Sequence, residues 1–125
     1  MHEWNEVGYD LLRTDRWLYA FATADNALVK IGMVLTEQRL RLRLTEVRRK
    51  ARRSDLTEVW RGRLPETTHE EAEHIESVVR HWLTGKAGFT YVGQVDWLAP
   101  PLGFGPDSWA EVLDEAVASA VRFGR

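Results

Sequence analysis

The chain has 125 residues, a formal net charge of −2 at pH 7, 44% apolar and 29% charged residues, and no cysteine. The length suits one domain, with about two thirds of the unfolded chain's surface to be buried on folding. The missing cysteines exclude disulfides, thiolate metal sites and a cysteine nucleophile and suit a cytoplasmic protein, and the net charge argues against indiscriminate nucleic-acid binding.

Residues 1–15 are mixed: Val7, Leu11 and Leu12 can line a short helix, against which Gly8 counts. Trp17 to Thr23 predicts a strand, Asp25-Asn26 a turn, and Leu28 to Val34 a second strand, together an antiparallel hairpin. Thr36 is an N-cap candidate with Glu37 in the first turn. Leu40, Leu44 and Val47 then follow at i, i+4 and i+7, one face of a helix reaching about Arg53. Leu42 breaks that stripe and widens the expected buried face.

From Leu56 to Leu64 the chain alternates, with Leu56, Trp60 and Leu64 on one parity, and predicts a third strand that Pro65 stops. Thr67 or Thr68 caps a second helix of about 15 to 17 residues that ends at Gly85. Glu70 and Glu71 favour its positive end, and Ala72, Ile75, Val78, Val79 and Trp82 form its apolar stripe. Tyr91-Val92 and Val95 to Leu98 read as short extended pieces, and Pro100-Pro101 and Gly103 to Pro106 as loops. Asp107 or Ser108 caps a last helix with Trp109, Val112, Leu113, Ala116, Val117, Ala120 and Val121 on its apolar face. Its small residues can close the core or make a dimer contact.

The order predicts an α/β or α+β domain: a small, mostly antiparallel three-stranded sheet flanked by helices. It spans residues 1–125, with a core of about 16–98 and a C-terminal helix of about 107–123. No apolar run approaches the roughly 18 residues of a membrane span. The N-terminus lacks a basic region followed by an apolar stretch, so no secretory leader is expected.

Charge is unevenly spread. Eight of the 17 basic residues lie between Arg39 and Arg53, whereas Glu66, Glu70, Glu71, Glu73 and Glu76 cluster later. One basic face on a weakly acidic molecule is the electrostatic footprint of a polyanion ligand. Arg48, Arg49, Lys50, Arg52 and Arg53 would track a DNA backbone, and they also suit the negative end of a helix.

Two short segments carry more specific information. Leu18-Tyr19-Ala20-Phe21 and Val29-Lys30-Ile31-Gly32, followed by the arginine-dense helix and then by Glu76, resemble the GIY-YIG nuclease superfamily. The closest branch in style is that of the T5orf172 or Mug113-like domains. The resemblance covers Tyr19 to Leu98, about two thirds of the chain, and its motifs hold by order and spacing rather than singly.

It implies a small antiparallel sheet flanked by helices and a metal-dependent DNA endonuclease. It also implies a setting in phage, mobile elements or defence systems. Tyr19 matches the tyrosine that helps activate water, and Gly32 the glycine of the second motif. Lys30 departs from that motif's tyrosine: it can contact phosphate as a point charge but cannot repeat a phenol's hydrogen bonding. Arg39 is the implied phosphate-binding arginine, with Arg41 and Arg43 as alternatives in neighbouring register. Glu76 matches the metal ligand, for Mg²⁺ or Mn²⁺, with Glu73 nearby. Asp96-Trp97-Leu98 resembles a downstream acidic-Trp-Phe element, in which Trp97 reads as a core anchor.

Other chemistries fit less well. His69 and His74 are five residues apart and point about 140° from each other on a helix, so they cannot share one zinc as HExxH does. His74 and His81 share a face but lie about 10 Å apart along it. The expectation is therefore a cytoplasmic GIY-YIG-type endonuclease with DNA as partner, its specificity supplied by a homodimer or a separate protein. The alternative is a catalytically inactive nucleic-acid-binding or interaction module on the same fold.

Overall fold

The computed structural model describes residues 12–93 and 97–123. It is an α+β fold in which five antiparallel strands form one sheet: β1 (Thr14–Ala22), β2 (Val29–Val34), β3 (Thr57–Thr67), β4 (Thr90–Tyr91) and β5 (Trp97–Ala99). Three described helices accompany it: α1 (Arg39–Ala51), α2 (His69–Lys86) and α3 (Trp109–Phe123). The strand order is β3-β1-β2-β5-β4. The three long strands are those read from the sequence, and the two short pieces join the same sheet beyond β2. The expected helix near the N-terminus and Val95 lie outside the described residues.

The sheet divides the interior in two. Leu18, Ala20 and Ala22 of β1 face the larger cluster, filled by Ala72, Ile75, Val79 and Leu83 of α2 and by Trp109, Leu113, Ala116 and Ala120 of α3. Tyr19 and Phe21 face the other way, where Leu40 and Val47 of α1 cover them. Strand alternation thus sorts one face to α2 and α3 and the other to α1. The C-terminal helix closes the core: Leu113, Ala116 and Ala120 are fully buried. The indoles of Trp60 and Trp109 donate to Asp114 and Asn26, tying α3 to β3 and to the β1–β2 turn.

Several local expectations need correction. Pro65 does not stop β3; it sits inside it. β3 is an edge strand, where an N–H is dispensable, and the register slips at the far end where Glu66 has φ 49. A second slip, between Ala20 and Phe21, puts Leu56 with Tyr19 on the α1 face while Trp60 and Leu64 face the larger core. The simple alternation had all three together.

Leu42 is exposed, so the buried face of α1 is narrow. Gln38, not Thr36, precedes α1, because Thr36 and Glu37 form a turn whose carbonyls accept from Arg39 and Leu40. α2 runs one residue past Gly85 to Lys86. Thr68 caps it with a full capping box: its hydroxyl accepts from the Glu71 N–H and the Glu71 carboxylate accepts from the Thr68 N–H. α3 is entered through a 3₁₀ turn, Pro106–Ser108, rather than from a side-chain cap at Asp107 or Ser108.

Candidate nuclease-like site

Tyr19 lies at the middle of the sheet, opposite Gly32 on one side and Arg61 on the other. Its ring is buried, stacks on Phe21 at 4.1 Å, and leans across β2 over Gly32. A Cβ at Gly32 would fall inside the phenol's van der Waals envelope. The glycine is therefore what lets the tyrosine lie across the strand, a close-approach role that only a residue without a side chain can fill. Lys30 is on the same face of β2, half-buried, with its ammonium 5.8 Å from the Trp97 ring centroid.

Among the described residues, β5 pairs with β2 at Val29 and Lys30. The next residues of β2, Ile31 to Met33, line a space shared with α1 and α2. A cavity of about 390 Å³ forms there, bordered by Tyr19, Lys30 and Gly32 from the sheet, Arg43 from α1, and Glu76 and Arg80 from α2. Tyr19, Lys30, Gly32, Arg43 and Glu76, all singled out in the sequence, thus converge, although Tyr19 and Glu76 are far apart in the chain. His69, Glu73 and Ser77 also border it.

The three candidate arginines separate by helix geometry. Arg39 and Arg43 are one turn apart on one side of α1, while Arg41 is two residues on and exposed on the other. Arg39 opens onto a smaller cavity of about 190 Å³ that also has Arg16, Arg43 and His69 on its walls. Arg43 borders both cavities and approaches Glu46 at 3.5 Å. On the cavity that Glu76 borders, the cation supplied by α1 is thus Arg43, and Arg39 stands on the adjoining one.

Glu76 meets Arg80 at 3.0 Å, and the two side chains are 17% and 15% exposed. Glu73 pairs instead with His69 one turn before it. No group of three or more His, Cys, Asp or Glu side chains suited to a metal occurs among the described residues. The oxygen donors of α2 on this cavity are the Glu76 carboxylate, with the Glu73 carboxylate and the Ser77 hydroxyl beside it. This fits a hard cation that keeps most of its waters and takes the rest of its oxygens from a phosphate.

The basic run at the end of α1 divides into two groups. Arg49, Lys50 and Arg52 are exposed, and Arg52 takes the left-handed conformation that ends the helix. Arg48 and Arg53 have structural partners. Arg48 donates to the Leu56 carbonyl at 2.8 Å, and Arg53 makes a two-pronged bridge to Asp55 at 3.0 Å. That bridge, with the Ala24 N–H, holds the Asp55 carboxyl down to about 2.

Reasoning from sequence missed Arg80 and Arg16. The i, i+4 spacing from Glu76 was a usable signal for Arg80. Nothing local marks Arg16, which is buried and donates to the Thr67 carbonyl across the β1–β3 pair. Asp96 of the downstream element lies outside the described residues, whereas Trp97 is half-buried and packs beside Tyr19 and Phe21. No helix among the described residues is long and apolar enough to cross a membrane. No protein-family model, curated protein or solved structure matches this chain.

Proposed function

We propose that this chain is a GIY-YIG-type nuclease that hydrolyses phosphodiester bonds of nucleic acid with the help of a divalent cation. The supporting observation is the convergence of Tyr19, Lys30, Arg43 and Glu76 on one cavity that β2, α1 and α2 border. In this reading Lys30, Arg43 and the adjoining Arg39 hold the scissile phosphate and offset the charge that grows on it. The Tyr19 hydroxyl, fixed by its packing over Gly32, orients the attacking water by hydrogen bonding. Glu76 would hold Mg²⁺ or Mn²⁺, which supplies Lewis acidity toward the phosphate oxygens. Arg80 keeps the Glu76 carboxylate turned toward the cavity.

A second reading is a nucleic-acid-binding module without catalysis. Two observations favour it: Glu76 is already engaged by Arg80, and lysine stands at position 30 where the motif has tyrosine. Incubation with supercoiled plasmid in Mg²⁺ or Mn²⁺ decides between the two. Nicking that disappears with EDTA and in Glu76→Ala, while that variant still binds DNA, is the expected result. Binding without nicking under every metal would leave the second reading. Normal nicking by Glu76→Ala would remove Glu76 from the site.

A further inference from the structure

A second cleft adjoins the site. It has a volume of about 380 Å³, within the range of sites for small ligands or single nucleotides. Trp97 of β5 forms one wall, Val47 and Ala51 of α1 another, and Lys50 stands at the rim. Tyr19, Lys30 and Arg43 border this cleft as well as the one that holds Glu76. An apolar wall, an aromatic ring and a surplus of cations are thus gathered one step from the proposed scissile position. Among the described residues, the one carboxylate bordering the cleft, Glu46, lies 3.5 Å from Arg43.

We infer that this cleft takes an unpaired nucleobase, so that the substrate is a single strand or a strand locally unpaired at the point of cleavage. The inference rests on the nucleic-acid reading above and narrows it. An aromatic ring beside cations is the arrangement on which bases of single strands stack, because every base has a π-face and every nucleotide a phosphate. A base within a duplex has both faces stacked and offers only its edges to the grooves, so it must leave the helix to enter such a slot. A base against Trp97 directs its own phosphate to Lys30 and Arg43, at the boundary with the Glu76 cavity. The ammonium of Lys30 is 5.8 Å from the Trp97 centroid, near the outer limit of a cation–π contact, so a cation and an aromatic face already stand side by side at this cleft.

Fluorescence anisotropy in EDTA, with a labelled oligothymidine and a blunt duplex of the same length, tests the inference without requiring cleavage. The single strand is expected to bind about tenfold tighter or better, since one stacked base contributes about that much or more. Trp97→Leu, which keeps apolar bulk and loses the ring, should erase this preference, and Trp97→Phe should retain most of it. Lys50→Glu, an exposed change, should weaken single-strand binding with an unchanged melting temperature. Equal affinity for both substrates in the parent protein, or equal binding by Trp97→Leu and Trp97→Phe, would overturn the assignment. A matched oligouridine shows whether RNA is also taken, and preferential binding of either single strand supports the cleft. Strand preference without metal-dependent cleavage of plasmid or of the single strands would sink the nuclease reading and keep the base cleft. Nicking without strand preference would do the reverse, and no binding to any of the three probes would end both.

Discussion

Tyr19 and Gly32 act as one unit at the centre of the candidate site. The phenol lies across the neighbouring strand, and the glycine's missing side chain is the space it uses. Gly32→Ala should therefore destabilise by about 1–3 kcal/mol, the usual cost of overpacking. In a Tyr19→Ala background the same change should cost much less, because its collision partner is gone. Urea denaturation of the four proteins in this cycle measures the coupling, and additive costs would mean that the two residues do not depend on each other. The motif glycine was legible in the sequence, but its reason was not: sequence shows a glycine near a strand, and only the β1–β2 register shows which side chain it accommodates. The arginine register is similar. Arg39, Arg41 and Arg43 are alike as letters, yet only the first and third share the side of α1 that meets the cavities.

At the scale of elements, the same basic run serves two purposes. Arg48 and Arg53 fasten the end of α1 to the segment that leads into β3, while Arg41, Arg49 and Arg52 project into solvent. Reversing Arg41, Arg49 and Arg52 to Glu should weaken binding to all nucleic-acid sequences alike and flatten its salt dependence, with little change in melting temperature. Arg48→Ala should instead cost about 1 kcal/mol of stability, the worth of a typical hydrogen bond. A titration of binding against salt, set beside thermal melts, separates the two groups. The start of α2 depends on its capping box, and Thr68→Ala should cost about 1 kcal/mol in the same melts. A cap here was readable in advance but its residue was not: Thr67–Glu70 and Thr68–Glu71 have the same spacing before the apolar stripe, and the fold selects Thr68. The bulges of β3 were not readable, because a register slip is decided by the partner strand. That is why Pro65 seemed a terminus and Leu56 seemed to share a face with Trp60.

For the molecule as a whole, acid should be destabilising in a defined window. Asp55 is held down to about 2, chiefly by its hydrogen bonds to Arg53. Asp25 is lowered by the Thr23 hydroxyl, and Glu71 by the Thr68 N–H at the capping box. In the unfolded chain such groups titrate near about 3.9 for Asp and about 4.3 for Glu. The unfolded state therefore takes up protons first as pH falls. The stability these groups contribute is complete above those values and is lost as pH drops from about 4 toward about 2. Melting temperatures across that range should fall steeply in the parent chain and less steeply in Asp55→Asn; parallel curves would show that the Arg53–Asp55 bridge is not a source of the acid sensitivity. The sequence by itself determined the three long strands, the three described helices and the α+β class, because apolar periodicity and caps act within a few residues of chain. Only the tertiary structure decided that the sheet has five strands, that Trp97 stands beside Lys30, and that Glu76 and Arg80 of α2 reach the same cavity as Tyr19. Those juxtapositions depend on how strands register and on how helices pack against the sheet, and neither is encoded in local sequence spacing.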